Sequence, residues 1–211
     1  HVLSNNEQPS PQSTLCLASY KPLYKCEWSS SLLITNDINE VFTRQVVEPK
    51  QEAKFKSVLP ILEEITDEVS SKVRNQYEVS PYPRWINLGL PRRPAPISEM
   101  VVKYKLKLYD DAIKRSQSPN ILVAGWGTGQ HSLQTAATFE DAKVLAIDLS
   151  LASLSYAKRK SEELGIQNIN YLQADILNLR KLNKQFDIVE SVGVLHHMHD
   201  PLSGWRVLTD C

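Results

Sequence analysis

The residues best suited to chemistry in this sequence follow a short apolar run. Ile121 to Ala124 lead into Gly125, Gly127 and Gly129, glycines at every second position. Four consecutive apolar residues predict a strand buried on both faces, as in a parallel sheet. Glycines after such a strand allow a sharp turn into a helix and let a ligand approach the backbone closely. The pattern therefore predicts a nucleoside-binding loop.

Acidic residues come at the ends of two further predicted strands. Asp148 follows Val144 to Ile147 and lies 23 residues after Gly125, close to the spacing at which a carboxylate binds ribose hydroxyls in nucleotide-binding βαβ units. Hydrogen bonds to a charged acceptor are the stronger kind, which suits a carboxylate to this task. Asp175 follows the next predicted strand. Either aspartate could instead cap a helix or lie in a turn.

Strands and helices alternate through the second half of the chain. The predicted elements are a strand at 121–124, a helix at 129–139, a strand at 143–147, a helix at 151–164 capped by Ser150 and ended by Gly165, and strands at 169–173 and 186–192. This order predicts an α/β fold with a doubly wound, parallel, Rossmann-like sheet and right-handed crossovers.

The first half predicts a different organisation. Residues 1–30 are rich in Ser, Pro, Asn and Gln and are expected to be loose. Residues 31–96 predict a helical extension that includes a helix at 67–78 capped by Thr66, and prolines from Pro81 onward forbid regular helix and predict a lid or linker. A helix from Ile97 to about Arg115 then leads into the first strand.

The bulk composition restricts the classes of partner. Lys and Arg total 24, Asp and Glu total 24, and the net charge is zero, so we expect neither nucleic acid nor an anionic membrane as a partner. No apolar run approaches the roughly 18 residues of a membrane span. The three cysteines form no Cys-x-x-Cys pair, which favours a reducing cytoplasm over a disulfide framework or zinc site.

Four motifs in order make residues 121–205 resemble a class I S-adenosylmethionine-dependent methyltransferase. They are VAGWGTGQ, AIDLS, QADI and FDIVESVGVLHHMHDP. Upstream, VRNQYEVSPYPRW is similar to a segment that precedes this domain in bacterial proteins that also carry tetratricopeptide repeats, which implies such a region outside this chain. The resemblance implies a sheet in the order 3-2-1-4 within a C-terminally truncated methyltransferase domain at 97–211.

The resemblance also implies which residues contact S-adenosyl-L-methionine. The G-x-G-x-G loop would hold its methionine and ribose parts, Asp148 would accept hydrogen bonds from the ribose hydroxyls, and Leu149 would also contact the cofactor. Asp175 would receive the adenine amino group, with Ala174 and Ile176 beside the ring. Glu190 and Ser191 border either the methionine part or the substrate, or are a structural strand-end pair. Gln130 and His131 either face the cofactor carboxylate or simply begin a helix.

The run His196-His197-Met198-His199 invites a metal site, but no ligand cluster accompanies it, so we predict no metal. His196 and His197 are weak candidates for a general base, and the loop otherwise lines the cofactor pocket. Trp126 departs from the family pattern, in which this position holds a small residue. Its ring could stack outside the pocket or block it, or reflect a degraded gene.

We predict methyl transfer from S-adenosylmethionine to a small-molecule or protein acceptor that the sequence does not identify. The alternatives are a catalytically silent cofactor-binding or scaffolding domain and a nicotinamide-dependent oxidoreductase. The chain begins at His1 rather than Met, and no strand follows the predicted helix at 202–208. We therefore expect both ends to be cut and this piece alone to show no turnover.

Overall fold

The computed structural model describes residues 7–108 and 111–211. The first six residues of the predicted loose segment, and residues 109–110 of the predicted helix after Ile97, lie outside the described residues. Contacts group the chain into two compact units, one ending at Lys54 and the other running from Phe55 to Cys211. Neither unit contains, among its described residues, a helix long and apolar enough to cross a membrane.

The first unit is helical and more ordered than the sequence predicts. It contains α1 (Pro11–Tyr20), α2 (Asn36–Phe42) and the start of α3 (Glu48–Val58), and a π-helical stretch joins α2 to α3. The expectation of a loose segment up to residue 30 is wrong for α1. The Ser10 hydroxyl caps this helix by accepting from the Ser13 amide at 3.2 Å. Pro11 occupies the first turn, where a backbone N–H has no partner within the helix, so the missing N–H of proline costs no hydrogen bond.

The second unit opens with two helices that precede the sheet. Helix α4 (Glu68–Val79) is capped by Asp67 rather than by Thr66, because the Asp67 carboxylate accepts from the Ser70 amide at 2.7 Å. Helix α5 (Ile97–Lys103) is shorter than predicted. Lys105 has a φ of 52°, a left-handed conformation that cannot continue an α-helix. A 3₁₀ turn follows at Asp111–Arg115.

The sheet has the predicted parallel order, β3-β2-β1-β4. Its strands are β1 (Asn120–Ala124), β2 (Lys143–Asp148), β3 (Ile169–Gln173) and β4 (Ile188–Glu190), and its helices are α6 (Gln130–Thr138), α7 (Leu151–Glu163) and α8 (Pro201–Thr209). Strand β4 is shorter than the predicted 186–192. The Phe186 amide instead donates to the Cys211 carbonyl, and Gly193 turns the chain away with a φ of 68°.

Strand β1 forms the centre of the core. Ile121 and Val123 are buried in one apolar cluster, and Leu122 and Ala124 are buried in another. Successive strand residues point to opposite faces, so each pair lies on one side of the sheet. This arrangement places the end of β1, and the loop that follows it, at a fixed position between β2 and β4.

The division by contacts differs from the predicted boundary near residue 97. Residues 55–96 make their tertiary contacts within the unit that contains the sheet. The Glu78 carboxylate accepts from the Ala152 amide at 3.2 Å, and the Ala95 amide donates to the Thr138 carbonyl at 2.8 Å. Helix α4 and the proline-rich segment therefore cover the α/β core rather than belonging to a separate helical extension.

Candidate functional site

The glycine loop connects β1 to α6 at the carboxyl end of the sheet. Gly125, Gly127 and Gly129 all have positive φ, at 80°, 35° and 84°. Gly129 serves a packing role, because a Cβ there would lie 2.5 Å from that of Ala157 on α7. Two of the three glycines, Gly125 and Gly127, line a cavity, whereas Gly129 is not among its lining residues.

This cavity has a volume of about 270 Å³, just below the range of common small-molecule pockets. It opens at the carboxyl ends of the strands, beside the switch point between β1 and β4, where ligands bind in such sheets. Of the residues predicted to contact the cofactor, the cavity lining includes Gly125, Gly127, Asp148, Leu149, Ala174, Asp175 and Ile176. Topology thus brings together residues that are up to 51 positions apart, since Gly125 and Ile176 belong to different strand ends.

Asp148 joins the glycine loop to the end of β2. Its Oδ2 accepts from the Gly127 amide at 2.8 Å, and its Oδ1 accepts from the Ser150 amide at 2.9 Å. Burial raises the pKa of Asp148 to about 6, and the nearby negative charge of Glu78 also raises it. The hydrogen bonds from the Gly127 and Ser150 amides lower the pKa but do not offset burial. A carboxylate can accept about four hydrogen bonds, so Asp148 retains capacity for ligand hydroxyls.

Asp175 caps a helix and also lines the cavity. Its Oδ1 accepts from the Leu177 amide at 3.0 Å and caps a 3₁₀ helix, Ile176–Leu182. Asp175 also lines the cavity, between Ala174 and Ile176. Capping fixes the carboxylate at the end of β3, in an apolar surrounding suited to a planar ring.

Glu190 and the start of α6 form a polar cluster outside the cavity lining. The Thr135 hydroxyl donates to Glu190 Oε2 at 2.6 Å, and His131 Nε2 lies 3.1 Å from the same oxygen. Gln130 is the first residue of α6 and is likewise absent from the lining, while the neighbouring Ser191 hydroxyl is buried without a hydrogen-bond partner. The structure thus ties Glu190 to α6.

Trp126 stands between this cluster and the cavity. Its indole is partly buried against the β1 core cluster, and its ring lies 5.1 Å from the His131 ring. Trp126 is among the residues that line the cavity at the glycine loop. The cavity retains about 270 Å³ of space with this tryptophan present.

The two histidines proposed as weak base candidates differ in position. His197 lines the cavity together with Met198, whereas His196 does not. Their ring centroids lie 4.0 Å apart with the ring planes tilted by 41°, and both side chains are exposed. Among residues 7–108 and 111–211, no cluster of His, Cys, Asp or Glu has the arrangement of a metal site.

The site also includes residues of α4 to which the sequence assigns no functional role, together with part of the predicted lid. Ser70, Val73 and Tyr77 lie on one face of α4 and line the cavity opposite the sheet. Tyr82 and Pro83 complete this cover, although the Tyr82 side chain is 74% exposed. The spacing of Val73 and Tyr77 predicts a packed face. Nothing in that spacing indicates that the face covers a ligand site.

The comparisons with known proteins agree with this architecture. Residues 121–208 match a family profile described as a methyltransferase domain. Over 91 residues, 43% of the chain and 22% of the relative, the chain is 35% identical to an uncharacterized protein of Synechococcus sp.. It is 30% identical over 87 residues to the release factor glutamine methyltransferase of Chlorobaculum tepidum, covering 40% of the chain and 30% of that protein.

Among solved structures, the chain is similar to a S-adenosylmethionine-dependent methyltransferase from Clostridium acetobutylicum. The TM-score is 0.42 at 22% identity, over 54% of this chain and 42% of that one. The chain spans less than a third of the length of the two curated relatives.

Proposed function

We propose that this chain binds S-adenosyl-L-methionine in the cavity at the glycine loop and takes part in methyl transfer to an acceptor. The observation that carries the proposal is the hydrogen bond between Asp148 and Gly127 at the wall of that cavity. It joins the two features that a nucleoside cofactor requires, a close backbone approach and a carboxylate for the ribose hydroxyls.

The residues present fit the cofactor. Asp148 and Leu149 would hold the ribose, Asp175 the adenine amino group, and Gly125 and Gly127 the methionine part. The sulfonium supplies the chemical drive for methyl transfer, so the protein's contribution is binding and in-line orientation of the acceptor. His197 lines the same cavity. Its imidazole would serve as the general base for an acceptor that must lose a proton.

The acceptor that we propose is a small molecule or a protein side chain. Among the described residues that line the cavity, none is Lys or Arg. Phosphate groups are normally bound by such cations, so this lining gives no support to a nucleic-acid acceptor. The wall formed by α4 is instead largely apolar, with Val73 and Tyr77 facing the space.

Calorimetry with S-adenosylhomocysteine tests the proposal, with NAD as the comparison ligand. We expect the wild-type chain to bind S-adenosylhomocysteine and to bind NAD much more weakly. Asp148→Asn should weaken S-adenosylhomocysteine binding by about 1.5–3 kcal/mol, the scale of hydrogen bonds to a charged group.

The matched control is Asp141→Asn. Asp141 is exposed and has a φ of 51°, a conformation that asparagine tolerates. This variant should bind S-adenosylhomocysteine as the wild type does. Equal affinity of folded Asp148→Asn and wild-type protein would refute the assignment of Asp148, and absence of wild-type binding would refute the proposed function.

A further inference from the structure

The proline-rich segment Pro81–Leu88, called the strap below, is fastened to α7. The Tyr156 hydroxyl donates to the Trp85 carbonyl, and Lys160 Nζ donates to the Ile86 carbonyl at 3.0 Å. The Trp85 and Tyr156 rings meet edge to face at 6.0 Å, and the Lys160 ammonium lies 4.9 Å from the centre of the Trp85 ring. These contacts fix the strap on the α/β core.

One strap side chain reaches into the glycine loop. Trp85 Nε1 donates to the Thr128 carbonyl at 2.9 Å, and the side chains of both residues are buried, at 8% and 1% exposure. Thr128 is the residue between Gly127 and Gly129. A buried carbonyl that loses its partner costs more than the bond itself contributes, so this contact constrains the loop strongly.

The loop needs such constraints because of its composition. Glycines have the widest choice of backbone conformation, and here they alternate with other residues across the turn. Asp148 restrains the Gly127 amide from β2, and Trp85 restrains the Thr128 carbonyl from the strap. Two hydrogen bonds from different elements therefore fix the peptide groups on either side of the Gly127–Thr128 peptide bond.

We propose that Trp85 is a positioning residue for the cofactor, acting through the Thr128 peptide without contacting the ligand. The inference rests on the proposed function, since it assumes that the glycine loop holds S-adenosylmethionine. Pre-organising a loop before binding lowers the entropy cost of ordering it and raises affinity. The strap is then a fixed part of the binding site whose indole sets the loop geometry.

The test is Trp85→Phe, which keeps an aromatic ring against Tyr156 and removes the N–H donor. We expect the Gly127 and Gly129 amides of the ligand-free protein to exchange with solvent several-fold faster, relative to the amides of β1 in the same sample. Affinity for S-adenosylhomocysteine should fall by about five- to 150-fold, the range for an unpaired buried carbonyl.

Two controls separate positioning from general stability. Trp205→Phe makes the same change at a 61% exposed tryptophan on α8 and should alter neither quantity. Lys160→Met removes a strap anchor that does not touch the loop. It should lower the thermal midpoint while leaving the relative exchange of Gly127 and Gly129 close to that of the wild type.

The possible outcomes are distinct. Unchanged loop exchange and unchanged S-adenosylhomocysteine affinity in folded Trp85→Phe would overturn the inference, as would equal effects of Lys160→Met. If wild-type protein does not bind S-adenosylhomocysteine, the proposed function fails, while the exchange measurement still decides the role of Trp85 in the loop. If Trp85→Phe does not fold, exchange of the wild-type Trp85 indole proton decides. If the Trp85 indole proton is protected from exchange as strongly as the Gly127 amide proton, the inference is supported. Rapid exchange of the indole proton overturns it.

Discussion

Asp148 holds a negative charge in surroundings that disfavour charge. Burial raises the pKa of this carboxyl to about 6, and Glu78, itself paired with Lys56 at 2.5 Å, adds a negative charge nearby. A group kept at such a cost to stability is typical of a binding or catalytic site. The aspartate is thus better explained by a ligand than by folding.

The raised pKa predicts a pH dependence with a definite sign. Because the folded-state value of about 6 lies above the ordinary value of 3.8, the folded protein binds the proton more tightly than the unfolded chain. The free energy of unfolding should therefore fall as pH rises from about 4 to about 6 and stay level above. The total decrease in the free energy of unfolding is about 3 kcal/mol, because each unit of pKa difference between the folded and unfolded states corresponds to about 1.36 kcal/mol.

Chemical denaturation of the wild type and Asp148→Asn across pH 4–8 measures this effect. The variant should lack the fall between pH 4 and 6 that the wild type shows. Affinity of the wild type for S-adenosylhomocysteine should also decrease below about pH 6, where the carboxylate becomes protonated. Parallel stability curves for the two proteins would contradict the assignment of the raised pKa to Asp148.

Two structural elements, α6 and α7, meet at a glycine rather than at a side chain. A Cβ on Gly129 would lie 2.5 Å from that of Ala157. Helix α7 therefore approaches the start of α6 more closely than any residue other than glycine at position 129 would allow. The third glycine of the loop is thus required by helix packing. Its neighbours Gly125 and Gly127 are the ones that line the cavity.

Gly129→Ala and Gly165→Ala separate packing from backbone conformation. Both glycines have positive φ, at 84° and 70°, but nothing lies within 4 Å of a Cβ added to Gly165. Gly165→Ala should cost about 1–2 kcal/mol for the left-handed backbone alone. Gly129→Ala should cost a further 1–3 kcal/mol or so for overpacking, measured by urea denaturation. Equal losses of stability in the two variants would show that α7 moves to accommodate the added methyl group without an energetic cost.

At the scale of the whole molecule, the candidate site belongs to one of the two compact units. Every residue that lines the cavity lies between Ser70 and Met198, within the unit that begins at Phe55. Helix α4 supplies one wall, and strand ends supply the other. The unit up to Lys54 contributes none of the lining residues among those described.

Deletion of residues 1–47, which keeps all of α3, should therefore leave affinity for S-adenosylhomocysteine within about twofold, because no described residue of this segment lines the cavity. Deletion through Ser80 removes α4 and should weaken binding severely, because Ser70, Val73 and Tyr77 leave the cavity wall. Calorimetry on both shortened proteins measures the difference. A tenfold or greater loss in the first deletion would show that the site depends on the N-terminal unit.

Local patterns in the sequence determine the sheet and the sheet side of the site. An apolar run such as Ile121 to Ala124 is stable only when buried on both faces, and alternation of strands with helices forces parallel pairing. Once the strands are parallel, their carboxyl ends lie together, so Asp148 and Asp175 converge near the glycine loop. Those placements depend on short-range patterns, and they were predictable.

The prolines from Pro81 onward predict a lid or linker, but only the tertiary structure decides which contacts cover the site. Whether α4 packs against the core, or Trp85 bonds to the Thr128 carbonyl 43 positions away, depends on contacts between segments whose local patterns do not specify a partner. The same holds for Glu190, whose carboxylate turns toward Thr135 and His131. Hydrogen bonds and packing between distant segments are settled by the geometry of the assembled core, and no local periodicity encodes them.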